Sequence, residues 1–466
     1  MSKEPLLRLL ALSVGAILLG LSIAASPQLM AAAMIACAIF ALSIVNPIVG
    51  LILALCTITG VFPPEMLPVI PLGGFEVRPG EVLLILIGIV SLRNWRKEQN
   101  SMRLMLRPIV EPLILLAALY LMGSMYSVFF KNDAYGLAEV RNIVGWFGLL
   151  IAIDLLAQDF HQFDSYLRRF AVVVALLMII QTFFGVQLLF SDRGAEALSE
   201  RFDNVIRSSA GPANFLIGYA IYYSIGRIAL SKTNMHWVAV LIILTLGLAA
   251  TFTRGAWLAL IIGLVVFLLM TRRNHIISSN FVVLGFIVFV FFTGFLFANP
   301  DLAGVLVDRI ASVTEEGEQG TSVGFRLDEN SQAIDSILEN PFLGVGIGGE
   351  YKKFTGTRGT DILFGEFTYI HNSYLGLAVK FGILGLFVPF WIFRNLWLVW
   401  IRHRPMAGEP VDGLRLNLAA AIAALCMFMV NSLSQPEWLR IGGILVLSLL
   451  TAIVLAVKYH LDLDGG

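Results

Sequence analysis

The chain has 466 residues, 58% hydrophobic and 14% charged, with 32 basic and 32 acidic side chains that cancel. At a mean hydropathy of +0.83, the apolar surface exceeds what one water-soluble core can enclose, which excludes a soluble globular protein and points to a polytopic membrane protein. Zero formal charge gives no sign of a nucleic-acid or other polyanionic partner, so the information lies in where the charges fall.

The N-terminal stretch MSKEPLLRLLALSVGAILLGLSIAAS sets Lys3 and Arg8 before an apolar run and a small-residue tail, the layout of a signal peptide. Because the run is near the ~20 residues that cross a bilayer, we read it as an uncleaved first span over 6–25. Further runs of spanning length lie at 28–45, 47–62, 108–130, 137–157, 167–190, 212–230, 276–298, 373–393, 414–432 and 439–457. The run from Trp237 to Thr271 would cover roughly 52 Å as one helix, against a hydrocarbon core of about 30 Å. It reads instead as a hairpin broken at TFTRGAW, with Arg254 at the face opposite Lys232, Arg272 and Arg273. The segment EVLLILIGIVSL, 81–92, is the weakest span and reaches bilayer thickness only by borrowing from Phe75 to Pro79 or from Trp95.

These elements predict an all-α polytopic membrane protein of about 12–14 transmembrane helices. The clusters Arg93/Arg96/Lys97/Arg103/Arg107, Arg168/Arg169, Arg272/Arg273 and Arg402/Arg404 fall on one side, which the positive-inside rule makes cytoplasmic, together with both termini. The domain organisation is then a transmembrane bundle over 1–298, a large outward-facing segment over 299–372, periplasmic in a bacterium, and C-terminal transmembrane helices over 373–466. Within the outward segment, apolar residues at 327, 334, 337 and 338 predict a helix that Pro341 stops. Cys37, Cys56 and Cys426 lie inside apolar runs and read as small buried hydrophobes.

Basic residues that remain on the translocated side run against the usual bias. They include Arg78, Arg141, Arg207, Arg254, Arg326 and Lys380, and a guanidinium fork at a helix mouth suits the oxygens of an anion such as phosphate. The competing reading is that such side chains snorkel or pair with acids such as Glu81. No metal site is expected: the only Asp-x-Asp, 462–464, falls in the cytoplasmic tail.

Three stretches in order, TFTRGAWLAL (251–260), GFRLDENSQAIDSILENPFLGVGIG (324–348) and HNSYLGLAVKFGILGL (371–386), resemble the O-antigen ligase and O-antigen polymerase superfamily. RSSAGPANFLIGYA (207–220) is similar to a further family stretch, with an inserted alanine at two places. The resemblance covers about 200–390 and implies a C-type glycosyltransferase of the bacterial inner membrane. Such an enzyme moves a glycan from undecaprenyl diphosphate to an acceptor hydroxyl with inversion and without nucleotide sugar, metal or cofactor. Ligases use a sugar of the lipid A core as acceptor; polymerases use another lipid-linked glycan.

Within that resemblance, Arg254 and Arg326 are the expected diphosphate clamps and His371 the catalytic base, with Glu366 as runner-up. A helix N-terminus disfavours imidazolium, which would keep His371 neutral and able to accept a proton. Asn372 or Ser373 caps that helix or meets substrate, and Arg207, Arg78 and Arg141 are candidates for the pocket. GVGIGG, 344–349, is either a phosphate nest or a tight turn after the helix. Lys380, about 13 Å into its helix from His371, stands where relatives more often carry an acid or amide; it either extends the cationic pocket or answers a buried acid. A lipid-linked-glycan flippase is the reading from another class, but it predicts charges along a midplane path, whereas these collect at helix ends.

Overall fold

A computed structural model describes residues 41–43, 45–61, 70–72, 75–95, 99–131, 139–184, 208, 210–230, 235–271, 304, 322–349, 351, 370–405 and 412–464. The expected spans at 6–25 and 276–298, and Arg207 and Glu366, lie outside these residues.

The chain runs through α1 (Pro47–Ile58), a hairpin of β1 (Ile70–Leu72) and β2 (Phe75–Val77), α2 (Pro79–Trp95), α3 (Gln99–Leu106) and α4 (Val110–Tyr126), which a π turn extends to Lys131. A 3-10 turn, Arg141–Trp146, leads into α5 (Phe147–Gln158), followed by α6 (Phe160–Phe184), α7 (Asn214–Leu230), α8 (Met235–Ala249) and α9 (Arg254–Thr271). Then come α10 (Ser322–Glu339), α11 (Ser373–His403), α12 (Gly413–Asn431) and α13 (Ile441–Asp464). Among the described residues, 6 helices are long and apolar enough to cross a membrane, and Pro47–Ile58, Pro79–Leu92 and Met235–Ala249 are shorter apolar ones. The protein is an all-α multi-pass membrane protein, with one small β hairpin as its departure. That hairpin pairs Ile70 with Val77, so Phe75–Val77 is strand. The short span therefore grows from Pro79, whose missing N–H costs a helix start nothing, and not from Phe75.

Burial sorts the helices. The span of α13 is 89% buried and that of α12 72%, whereas α9 is 28% buried and α4 33%. The first pair forms the centre. In lipid there is little hydrophobic drive between helices, so association rests on close packing of small side chains. The run Ala419–Ala424 on α12 supplies it: α7, α9 and α13 all pack on that helix. At the perimeter, Leu258, Ile261, Val265 and Leu269 stay exposed at helical spacing along α9, the face that a bilayer covers.

The run from Trp237 to Thr271 breaks between α8 and α9 at the expected stretch. Phe252 takes a positive φ of 46°, uncommon for a side chain of its bulk, and marks the corner. Thr251 donates its hydroxyl to the Leu248 carbonyl at 2.8 Å, and the Trp257 indole N–H reaches the same oxygen at 3.2 Å. Beyond the corner the helices part, α8 against α6 and α7, α9 along α12.

Two features depart from the sequence reading or add to it. In α10 the apolar positions Leu327, Ile334 and Leu338 point outward and Ile337 packs partly inward, while Glu329, Ala333 and Ser336 are buried against neighbouring structure that includes α11. The outward stripe continues through Phe342 and Leu343 to the exposed Ile383 and Leu384 of α11, because Ile383 N–H donates to the Pro341 carbonyl at 2.8 Å. The exposed side of α10 also carries Asp328, Ser331, Asp335 and Glu339, so the outer face is mixed while Glu329 is turned inward. The second feature is a break inside α11 at Gly382, φ 67° and ψ −165°, a conformation open essentially to glycine alone. Asn340–Val345 lies along this break, and Val345 N–H donates to the Val379 carbonyl at 2.7 Å. Gly344, also at positive φ, comes so close to that backbone that a side chain would collide with it. The Gly-x-Gly stretch thus repairs a broken helix.

Candidate active site

The mouth of α11 is tied down residue by residue. Asn372 is its N-cap: the side-chain oxygen accepts from Tyr374 N–H at 3.0 Å and Leu375 N–H at 3.3 Å, two of the donors a helix start leaves without partners. Ser373 donates its hydroxyl to the Gln435 carbonyl at 2.7 Å, accepts from Trp438 N–H at 3.2 Å, and its own N–H donates to the Ser432 carbonyl at 2.9 Å. The side-chain oxygens of both residues therefore hold the helix start to itself and to the loop between α12 and α13.

His371 stands one residue earlier. Its ring Nδ1 lies 2.9 Å from Oε2 of Glu329, and its backbone N–H donates to the same oxygen, also at 2.9 Å. The Glu329 side chain is only 1% exposed. Arg326, half-buried, precedes Glu329 by three residues on α10, so the two side chains leave the helix on the same side. Arg254 opens α9, and the same α12–α13 loop packs on its turn: a side chain at Gly255 would stand 3.0 Å from Ser434 Oγ. One loop thus braces both the Arg254 turn and the His371 mouth, while Glu329 ties the helix of Arg326 to His371.

That loop carries a third acid. Glu437 is buried, accepts from the Asn431 amide at 3.3 Å, and its Oε2 has no hydrogen-bond partner among the described residues. Burial pushes its carboxyl up to about 7, against the pull of Arg440 and the Asn431 hydrogen bond.

The remaining candidates have carboxylates of their own. Arg78 and Arg141 both place their fields on buried Glu81. Lys380 bonds both oxygens of Glu139, at 2.7 and 2.5 Å, so the geometry gives it an acid to answer. Glu139 also accepts from Gly348 N–H at 3.1 Å, and a backbone N–H of the glycine stretch therefore meets the protein's own carboxylate. Beside this pair is a cavity of about 170 Å³ lined by Tyr120, Asn142, Ile370 and Arg440 among others. Asn142 there donates to the Leu439 carbonyl at 2.7 Å.

Sequence reasoning missed Glu329, Glu139, Glu437 and the bracing loop. Glu329 had a signal, since it lies one helical turn from Arg326 within a stretch already singled out. The other two acids stand at the ends of apolar runs, with nothing local to name their partners.

Fold and site together define a multi-pass helical membrane protein in which the loop between α12 and α13 braces both the turn of Arg254 and the mouth of a carboxylate-held histidine. Residues 239–390 match the model of a family described as O-antigen ligase. The match runs from α8 into α11, includes Arg254, Arg326, Glu329 and His371, and agrees with the resemblance to the O-antigen ligase and polymerase superfamily. It implies a membrane glycosyltransferase-like enzyme. No curated protein matches the chain.

Proposed function

We propose that the protein transfers a glycan from undecaprenyl diphosphate to an acceptor sugar hydroxyl, as the O-antigen ligase of lipopolysaccharide synthesis, with lipid A core as acceptor. The observation that carries this reading is the convergence of the Arg326 helix, the Arg254 turn and His371 within the matched segment. The site belongs on the periplasmic side of a bacterial inner membrane, with both termini cytoplasmic. The diphosphate is a good leaving group already, so the protein has to hold its departing charge and accept one proton. Arg254 and Arg326 clamp the diphosphate, aided by the positive N-terminal end of α9. The acceptor oxygen attacks the anomeric carbon from the face opposite the diphosphate; the bond to the phosphate oxygen breaks with its electron pair, and His371 takes the hydroxyl proton. Inversion follows from that single displacement, and no metal or cofactor takes part.

The test supplies the purified protein in nanodiscs with undecaprenyl-diphosphate glycan and lipid A core. Core-linked product supports ligation, and longer lipid-linked chains without core product would instead make it a polymerase of the same superfamily. Labelled lipid that changes leaflet with no product formed would overturn the enzyme reading in favour of a flippase.

A further inference from the structure

Glu329 brings a buried carboxyl group to His371, and a group of that kind in that position calls for a reason. Taking a carboxylate out of water costs several kcal/mol unless donors compensate, and a neutral glutamine carbonyl could accept the same two hydrogen bonds. Two groups of His371, its backbone N–H and its ring Nδ1, reach Oε2 at 2.9 Å. When the Glu329 carboxyl is ionised it accepts and never donates, so the ring nitrogen facing it then carries the proton. In the neutral imidazole the other nitrogen then holds the lone pair.

We infer that Glu329 is a positioning residue for the reaction proposed above: it fixes His371 as the Nδ1–H tautomer and sets Nε2 as the nitrogen that takes the acceptor's proton. As that proton arrives, the positive charge spreads over a ring whose Nδ1–H already faces a carboxylate, so the protonated ring is stabilised where it forms. Because Glu329 sits three residues after Arg326 on α10, one rigid helix sets both the donor's phosphate clamp and the direction of the base. Displacement of that helix would disturb both together.

The inference rests on His371 being the base, and the experiment separates the two claims. Glu329→Gln keeps an acceptor oxygen but removes the charge, so kcat for transfer falls by about 100-fold, as expected for a base deprived of its orienting carboxylate, while the donor KM stays within about twofold. Glu329→Asp recovers part of the loss, and adding Glu329→Gln to His371→Ala costs nothing further. Wild-type kcat in Glu329→Gln beside an inactive His371→Ala overturns the role of Glu329 and leaves the base assignment standing. Full activity in His371→Ala overturns both. Should Glu329→Gln fail to fold, nitrogen-15 NMR of the wild-type protein, with the His371 signal identified by its loss in His371→Ala, still decides: a neutral ring protonated on Nδ1 supports the inference, and one protonated on Nε2 contradicts it.

Discussion

Helix α11 carries a histidine–carboxylate pair at each end, and the two pairs are built for different ends. At its start, His371 meets Glu329, a buried acid from another helix that takes one ring nitrogen and the backbone N–H. At its finish, His403 places Nδ1 2.9 Å from the Val399 carbonyl and Nε2 2.8 Å from Asp462, whose side chain is 48% exposed and also bonds Lys458. Both nitrogens of His403 thus face acceptors of the protein itself. The same pair of residue types makes a surface tie at one end and, in the proposed reaction, a held base at the other. Burial of the carboxylate separates them.

The contrast breaks most visibly in activity. His371→Ala lowers transfer by about 10²–10⁴-fold, the usual worth of a general base, while His403→Ala stays within about twofold because an exposed pair contributes little; comparable losses in both would erase the distinction. Next in size is a pH effect confined to the His371 end. Glu437 binds its proton more tightly folded than unfolded, so stability falls as pH rises from the ordinary carboxylate range to about 7 and levels off above it. The fall is on the order of 3 kcal/mol. Thermal unfolding across that range should show the slope in the wild type and lose it in Glu437→Gln.

Third, Gly382→Ala sharpens the comparison by straining the break between the two ends, at a cost of about 1–3 kcal/mol. Hydrogen exchange should quicken around Val345 and Ile383 more than around His403. Smallest is Asp462→Asn, which should alter thermal stability by less than about 1 kcal/mol.

Much of this was legible in the chain itself. Membrane class, the break in the run from Trp237 to Thr271, the α10 helix and the cap at Asn372 follow from apolar length, turn chemistry and capping chemistry, all local. The orientation of α10 was not legible, because Leu327, Ile334 and Leu338 share the exposed side with Asp328, Asp335 and Glu339, so hydropathy does not separate the two faces. Leu327 and Ile334 point away from the site, and Glu329 toward it. Lys380 invited a functional reading until its partner, 241 positions away at Glu139, was known. Pairings of that range depend on packing, which no local pattern of residues contains.

Binding and chemistry are assigned to different residues at one mouth of the bundle, and a single comparison tests that division. Donor binding and glycan transfer would be measured on the same nanodisc preparations of the wild type, His371→Ala and Arg326→Ala. The account predicts that His371→Ala binds undecaprenyl-diphosphate glycan as the wild type does yet transfers it about 10²–10⁴-fold more slowly, and that Arg326→Ala loses both. Wild-type transfer by His371→Ala would contradict it.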